Sequence, residues 1–378
     1  MLEHHLALMV MNMLPGVGPG RKRLLAEHFG SCEAALEAPE AALCKLPGIG
    51  EHFSRIIHGW REYCNLEEEL SLVRRSGAMI VTEEDDDYPP LLKEIHDPPI
   101  CLYVLGDKKA LRDSRNAVAI VGSRYGTGYG LRMADRLAVD ICQAGWPVVS
   151  GLARGIDTAA HQAAVRCHGV TVAVIGAGLL NLYPQENTGL ARDIVATGGA
   201  VITEFPMKHR PDKRSFPLRN RIISGMSRGT IVVQAGLQSG SLITAAQALE
   251  QNRAVFAMPG PVDLEYFRGC HALLKDGARL IESFADVLDE FSQFPGLSRR
   301  AMKAQNEPKE TKTSPPELQM SELEMKLWNL LDGGEMLVDD LIDSVEDDPS
   351  SVLACLMTME LRHLVRQLPG KRVVRSVQ

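Results

Sequence analysis

Between Lys208 and Arg228 the chain carries seven basic residues, Lys208, Arg210, Lys213, Arg214, Arg219, Arg221 and Arg228, against one acid, Asp212. The whole chain has a formal net charge of −7, so this local reversal of sign needs a reason. One reading is a solvated basic loop. The other is a surface that holds successive phosphates, with Phe216 in the same stretch available to stack on a base. Asn220 sits between Arg219 and Arg221, where an amide can tie loops together.

Three further phrases have the same character. Gly122-Ser123-Arg124 is a short turn whose N–H groups suit an anion and whose arginine adds a planar positive fork. Ser150-Gly151 leads through Arg154-Gly155 to Asp157 and His161, with the glycines letting the backbone approach a ligand. Asp157 is expected to cap the helix that opens there, and His161 either meets the ligand or is a satisfied structural histidine. Gly240-Ser241 is a third anion-compatible turn into a helix. Tyr183 and Asn187, in a rigid loop on the same rim, frame the site or brace the loop. No Ser-His-Asp set and no carboxylate pair can be assembled from these phrases. The pattern suits holding a polyanion better than transforming a small molecule.

Such turns need a scaffold that brings them to one edge. Apolar runs at Ala117–Val121, Pro147–Ser150, Val170–Ile175, Ala200–Thr203, Thr230–Gln234 and Ala254–Met258 recur every 25–30 residues or so with helical spacing between them. They follow an extended entry strand over 98–106. This predicts an α/β fold: a Rossmann-like parallel sheet over 86–291, with ligands beyond the carboxyl ends of the strands. The first turn is not a GxGxxG fingerprint, and no acid closes the second strand to hold a ribose. A nicotinamide cofactor is therefore disfavoured, and no cofactor is expected.

Residues 1–85 contain two similar phrases, Leu14-Pro15-Gly16-Val17-Gly18 and Leu46-Pro47-Gly48-Ile49-Gly50, each flanked by apolar helical spacing. They resemble a tandem helix-hairpin-helix of the SAM-like kind, an all-α module that either contacts a nucleic-acid backbone or serves only as structure. The acidic run from Glu83 to Asp87 reads as a solvated surface turn ending that domain, with metal binding as the lesser alternative. Residues 292–318 read as a flexible linker. Residues 319–378 read as three helices and a β-wing around Pro369-Gly370, a winged helix. Its third helix is poor in basic residues, which favours a protein-contact role over groove reading.

With 45% hydrophobic and 24% charged residues, the chain has the composition of a soluble globular protein. Its eight cysteines show no CxxC spacing, so neither a zinc site nor a disulfide framework is expected and a cytoplasmic location is. No apolar run reaches the ~20 residues that span a bilayer.

Taken together, Gly122-Ser123-Arg124, SGLARGIDTAAH (150–161), YPQEN (183–187), FPLRNRIISGMS (216–227), SGSLITA (239–245) and FAMPG (256–260) resemble the DprA/Smf family, DNA-processing protein A. The resemblance implies an extended Rossmann domain that binds single-stranded DNA, a homodimer, and loading of the RecA recombinase during natural transformation, with single-strand-binding protein as a further partner. By motif position it implies a pocket built from Gly122, Ser123, Arg124, Lys213, Phe216, Arg219, Asn220, Gly240 and Ser241. Ser150, Gly151, Arg154, Gly155, Arg214 and Arg221 complete the expected DNA-binding set, with no catalytic or metal-binding residue. Two positions depart from the family pattern: Gln234-Ala235 stands where an acid is usual after the fifth strand, and His271 where an asparagine is. The rival reading is a nucleotide-processing hydrolase of the lysine-decarboxylase-like type. That enzyme needs a carboxylate at the start of the helix after the glycine turn, whereas here the first acid is Glu250.

Overall fold

The computed structural model describes residues 2–291, 321–331, 335–345, 347–362, 364–368, 370 and 372–375. They fall into two compact units, within Met1–Glu307 and Pro308–Gln378. The linker expected over 292–318 lies outside the described residues.

The larger unit is organised by a nine-stranded sheet. Its strands are β1 (Met79–Thr82), β2 (Cys101–Gly106), β3 (Val118–Gly122), β4 (Val148–Ser150), β5 (Thr171–Val174), β6 (Ala200–Thr203), β7 (Gly229–Gln234), β8 (Ala254–Ala257) and β9 (Arg279–Leu280). The spatial order is β1-β2-β6-β5-β4-β3-β7-β8-β9. From β6 to β9 every pairing is parallel. The edge strands β1 and β2 run antiparallel, to each other and to β6. The central strands are buried on both faces, which is why they read as continuous apolar runs. Alternate residues still part company. Ala119 and Val121 join the core under helices Ser215–Gly225 and Gly240–Glu250, while Val118 and Ile120 join the one under helix Gly128–Gln143.

Each LPGxG phrase is the turn between two helices: His4–Met13 and Pro19–Phe29 for the first, Glu40–Leu43 and Gly50–His58 for the second. Gly16 has φ +73, and a Cβ there would lie 2.6 Å from the Phe53 ring, so this turn is reserved for glycine. Arg21 joins the two turns. Its guanidinium donates to Gly16 O (2.7 Å) and Gly48 O (3.2 Å) and lies over Phe53.

The helical part is fastened to the sheet. Asn12 Nδ2 donates to Glu204 O (2.8 Å), and Glu69 Oε1 accepts from the Met207 backbone N–H (2.7 Å). The acidic run takes part as well, and here the expectation of a solvated turn is corrected. Glu83 pairs with Lys22, Glu84 with His4, and Asp87 with Lys108 and Arg112, while Asp85 accepts from the Thr82 N–H and hydroxyl. The sheet also begins earlier than expected, since β1 lies ahead of residue 85.

The smaller unit has helices Glu322–Leu330, Val338–Ser344 and Pro349–Leu361 and a three-stranded sheet of Met336–Leu337, Arg372–Arg375 and Val365–Leu368 in that order. Ser321 and Glu324 form a reciprocal capping box on the first helix. This is a winged helix.

Candidate nucleic-acid interface

Strand order reverses at β3. The chain steps outward through β4, β5 and β6, then returns to lay β7 against the other side of β3. Loops after β3 and β7 therefore diverge and leave a crevice. A cleft of about 590 Å³ lies there, lined by Gly122, Ser123, Arg124, Lys213, Phe216, Asn220, Gly240 and Ser241 among others. With Arg219, which also borders it, nine of the expected residues thus meet in one place from three separate stretches of chain.

The turn after β3 is held from behind. Ser123 N–H donates to Gln234 O (2.8 Å), Ser123 O accepts from Ile156 N–H (3.2 Å), and Ser123 Oγ accepts from Tyr125 N–H (3.1 Å). Arg124 is left exposed, in no ion pair among the described residues, with its guanidinium 5.3 Å from the Phe216 ring centre. Across the crevice, helix Gly240–Glu250 opens toward the cleft behind Ser239, whose hydroxyl accepts from Ser241 N–H (3.4 Å). A Cβ at Gly240 would meet nothing within 4 Å, so the cleft is open at this residue. A helix start across the cleft from Arg124 and Lys213 suits a phosphate. Gln234, where the family pattern has an acid, is buried and accepts from the Thr127 N–H (3.0 Å) and hydroxyl (2.9 Å), so it braces the neighbouring loop.

The basic stretch divides by burial. Asp212 accepts from Arg214 N–H (2.7 Å) and Ser215 N–H (2.8 Å) and so starts helix Ser215–Gly225; these backbone bonds hold its pKa low. Phe216, on the first turn, and Lys213, just ahead of it, both line the cleft, and Asn220 lies one turn on. Asn220 makes no side-chain hydrogen bond among the described residues and lines the cleft instead of tying loops together.

Others of the expected residues are held within the fold or lie beside the cleft. Arg219 borders the cleft but is only 5% exposed, and its Nη1 donates to Gly151 O and Val174 O. Burial lowers its pKa to about 10, so it stays charged at neutral pH. Arg221 is buried against Glu204 and Asp97. Arg214 is exposed and does not line the cleft. Ser150 is fully buried, its hydroxyl donating to Ile120 O (2.6 Å). Gly155 supports the β3 turn: it has φ +72, and a Cβ there would lie 2.3 Å from Ser123 O. Gly151 and Arg154 line smaller space beside the main cleft, and Arg154 pairs with Glu186.

Asp157 is not the helix cap. Helix Ile156–Arg166 starts behind Gly155, and Asp157 Oδ2 accepts from Gly151 N–H (3.1 Å) and Ala153 N–H (3.4 Å). Burial raises its pKa against the pull of Arg219. His161 is structural: it is fully buried, Nδ1 lies 2.8 Å from Thr171 Oγ1, and burial together with Arg219 lowers its pKa to about 3. Asn187 braces the loop, donating to Leu152 O (2.8 Å) and Thr158 Oγ1 (2.9 Å). The reading of sequence missed Tyr266, which reaches the cleft from the segment after β8. Its only signal was an aromatic between two glycine-rich phrases. Glu250 ends helix Gly240–Glu250, far along it from the cleft.

An open α/β sheet with a cationic, aromatic-bearing crevice at its switch point, joined in one chain to a winged helix, defines a nucleic-acid-handling protein. Residues 79–292 match the family model of DNA recombination-mediator protein A, and residues 309–371 match the DprA winged helix domain. The chain belongs to that DprA/Smf family. It is 33% identical to Protein Smf of Synechocystis over 96% of its own length and 97% of that protein. To DNA processing protein DprA of Bacillus subtilis it is 43% identical, over 61% of this chain and 77% of that one. Among solved structures, DprA from Streptococcus pneumoniae superposes with a TM-score of 0.64 at 32% identity, covering 76% of this chain and 98% of that one. The Helicobacter pylori protein, described for its single-stranded DNA binding mode, superposes with a TM-score of 0.51 at 30% identity, covering 58% of this chain and 98% of that one. The chain is thus a member of a family of DNA-processing recombination mediators.

Proposed function

We propose that this chain binds single-stranded DNA in the switch-point cleft and hands it to a RecA-type recombinase during uptake of foreign DNA, acting in the cytoplasm as a homodimer and without catalytic turnover. The observation that carries the reading is the set of uncommitted groups at the cleft. Arg124 and Lys213 enter no ion pair among the described residues, Phe216 offers a ring beside them, and helix Gly240–Glu250 begins across the cleft. Cations and amides hold phosphates whatever the sequence, and a stacked base adds about 1–3 kcal/mol. A duplex keeps its bases inside and forgoes the stacking.

Fluorescence anisotropy with a labelled oligo-dT and a duplex of equal length, over a salt series, tests the binding step. Preference for the single strand, a steep salt slope and a loss of at least tenfold in Arg124→Ala are expected. Equal affinity for duplex, or wild-type binding by Arg124→Ala, refutes it. RecA filament growth on a strand coated with single-strand-binding protein tests the mediator step, and growth that the wild-type chain does not accelerate refutes that part.

A further inference from the structure

A second cavity, about 1100 Å³, opens beside the cleft, lined by Leu180, Tyr183, Glu186, Arg154, Arg192 and Arg210 among others. A smaller one, about 220 Å³, is lined by Arg124 and Phe216 from the first cleft and by Arg154 and Tyr183 from the second. The three spaces therefore lie side by side and share walls, in the manner of a trough. We propose that a bound single strand continues past Phe216 and Tyr183 into the second cavity, where Arg192 and Arg210 take further phosphates and Arg154 exchanges Glu186 for the nucleic acid. This rests on the single-strand reading above.

The chemistry along the trough repeats. Tyr183 is 42% exposed, and its ring centre lies 6.0 Å from that of Phe216 at an interplanar angle of 53°. Two rings at this spacing accept neighbouring unstacked bases. Arg192 and Arg210 are exposed and enter no ion pair among the described residues, as with Arg124 and Lys213 in the first cleft. Among the described residues Glu186 is the one acid lining the second cavity, and it is already bonded to Arg154 at 2.6 and 2.8 Å. Both partners are about half exposed, so the pair holds together weakly. A phosphate offers Arg154 the same bidentate geometry, so the pair can open onto a strand at little cost. Glu186 then acts as a built-in competitor that delays occupation of the second cavity until a strand is long enough to reach it.

The test uses the full chain and labelled oligo-dT of about 6 and about 20 nucleotides, within the span of known single-strand sites at the short end and beyond it at the long end. The Arg192→Ala/Arg210→Ala variant should bind the long strand about tenfold more weakly and lose about 1.4 from its salt slope, with the short strand unchanged. Glu186→Gln should bind the long strand more tightly and the short one as before. An iodouracil-bearing long strand should photocrosslink to Tyr183, and the Tyr183→Phe variant should keep wild-type affinity. All these side chains are exposed, and matched circular dichroism melts check that the variants fold. Equal weakening of both lengths by the double variant, or no weakening of either, overturns the extended path. Wild-type binding of both lengths by Arg124→Ala overturns the first-cleft reading instead, so the two failures are distinguishable.

Discussion

Arg219 lies at the edge of the cleft and carries the same charge as Arg124, yet the two should fail in opposite ways. Arg219→Met keeps the apolar stem of the side chain and removes the guanidinium. Two carbonyls, Gly151 O and Val174 O, then lose a charged donor inside the protein. Hydrogen bonds to a charged group contribute about 1.5–3 kcal/mol each, which puts the loss near 3–6 kcal/mol. Asp157 also loses the positive charge that offsets its burial, which adds to the cost. Against a typical domain stability of about 5–15 kcal/mol, the variant folds but is marginal. Urea unfolding followed by tryptophan fluorescence should show its midpoint lowered by about 1 M or more, while that of Arg124→Ala stays at the wild-type value. Oligo-dT binding should fall sharply in Arg124→Ala and survive in Arg219→Met wherever the protein remains folded. An Arg219→Met variant with an unchanged urea midpoint and no binding would refute the reasoning and make Arg219 a direct contact.

Two other outcomes follow from the same frame. Gly155→Ala places a Cβ 2.3 Å from Ser123 O at a φ of +72, so the turn bearing Arg124 must shift; a loss of about 1–3 kcal/mol in thermal unfolding and weakened oligo-dT binding are expected together. His161 is held neutral, with its pKa lowered to about 3 from an ordinary value near 6.5. Unfolding lets it take up a proton below pH 6.5, so its contribution is fully present above that pH and is lost as pH falls. From pH 7 to pH 5 the loss is about 2 kcal/mol, and the gap between wild type and His161→Gln in urea unfolding should narrow by about that amount.

The sheet was legible because its central strands are apolar runs closed by Gly and Ser turns, and all six of the runs named lie within two residues of a strand. The entry strand was legible too, although its antiparallel pairing was not: an apolar run carries no direction. β1 was missed because four residues, Met-Ile-Val-Thr, between a helix-ending Gly77 and an acidic turn make too short a signal. The basic stretch was legible as a sum of charge but not as a partition. Lys213 and Arg219 look alike in sequence, and only the helix beginning at Ser215 turns one into the cleft and the other onto two carbonyls. Asp157 was misjudged because helix-capping chemistry was read one turn too literally: Gly155, with its positive φ, lets the chain start the helix without a side-chain cap, freeing the carboxylate to bind the preceding loop. The acidic run was misjudged because its cations, Lys22 and His4, lie some 60 to 80 residues away in sequence.

β1 has a consequence for how this protein can be cut. A boundary drawn at residue 85 would seem to release a free helical module from a self-sufficient sheet. The cut would instead strip the sheet of its outermost strand, leave the edge of β2 that faces β1 unpaired from Cys101 to Val104, and uncover the space filled by Val81. An edge laid bare in this way invites pairing between chains. Fragments for experiment need to keep the chain from Met79 onward, so the helical unit that can be cut away ends at Gly77, inside what reads as the helical domain.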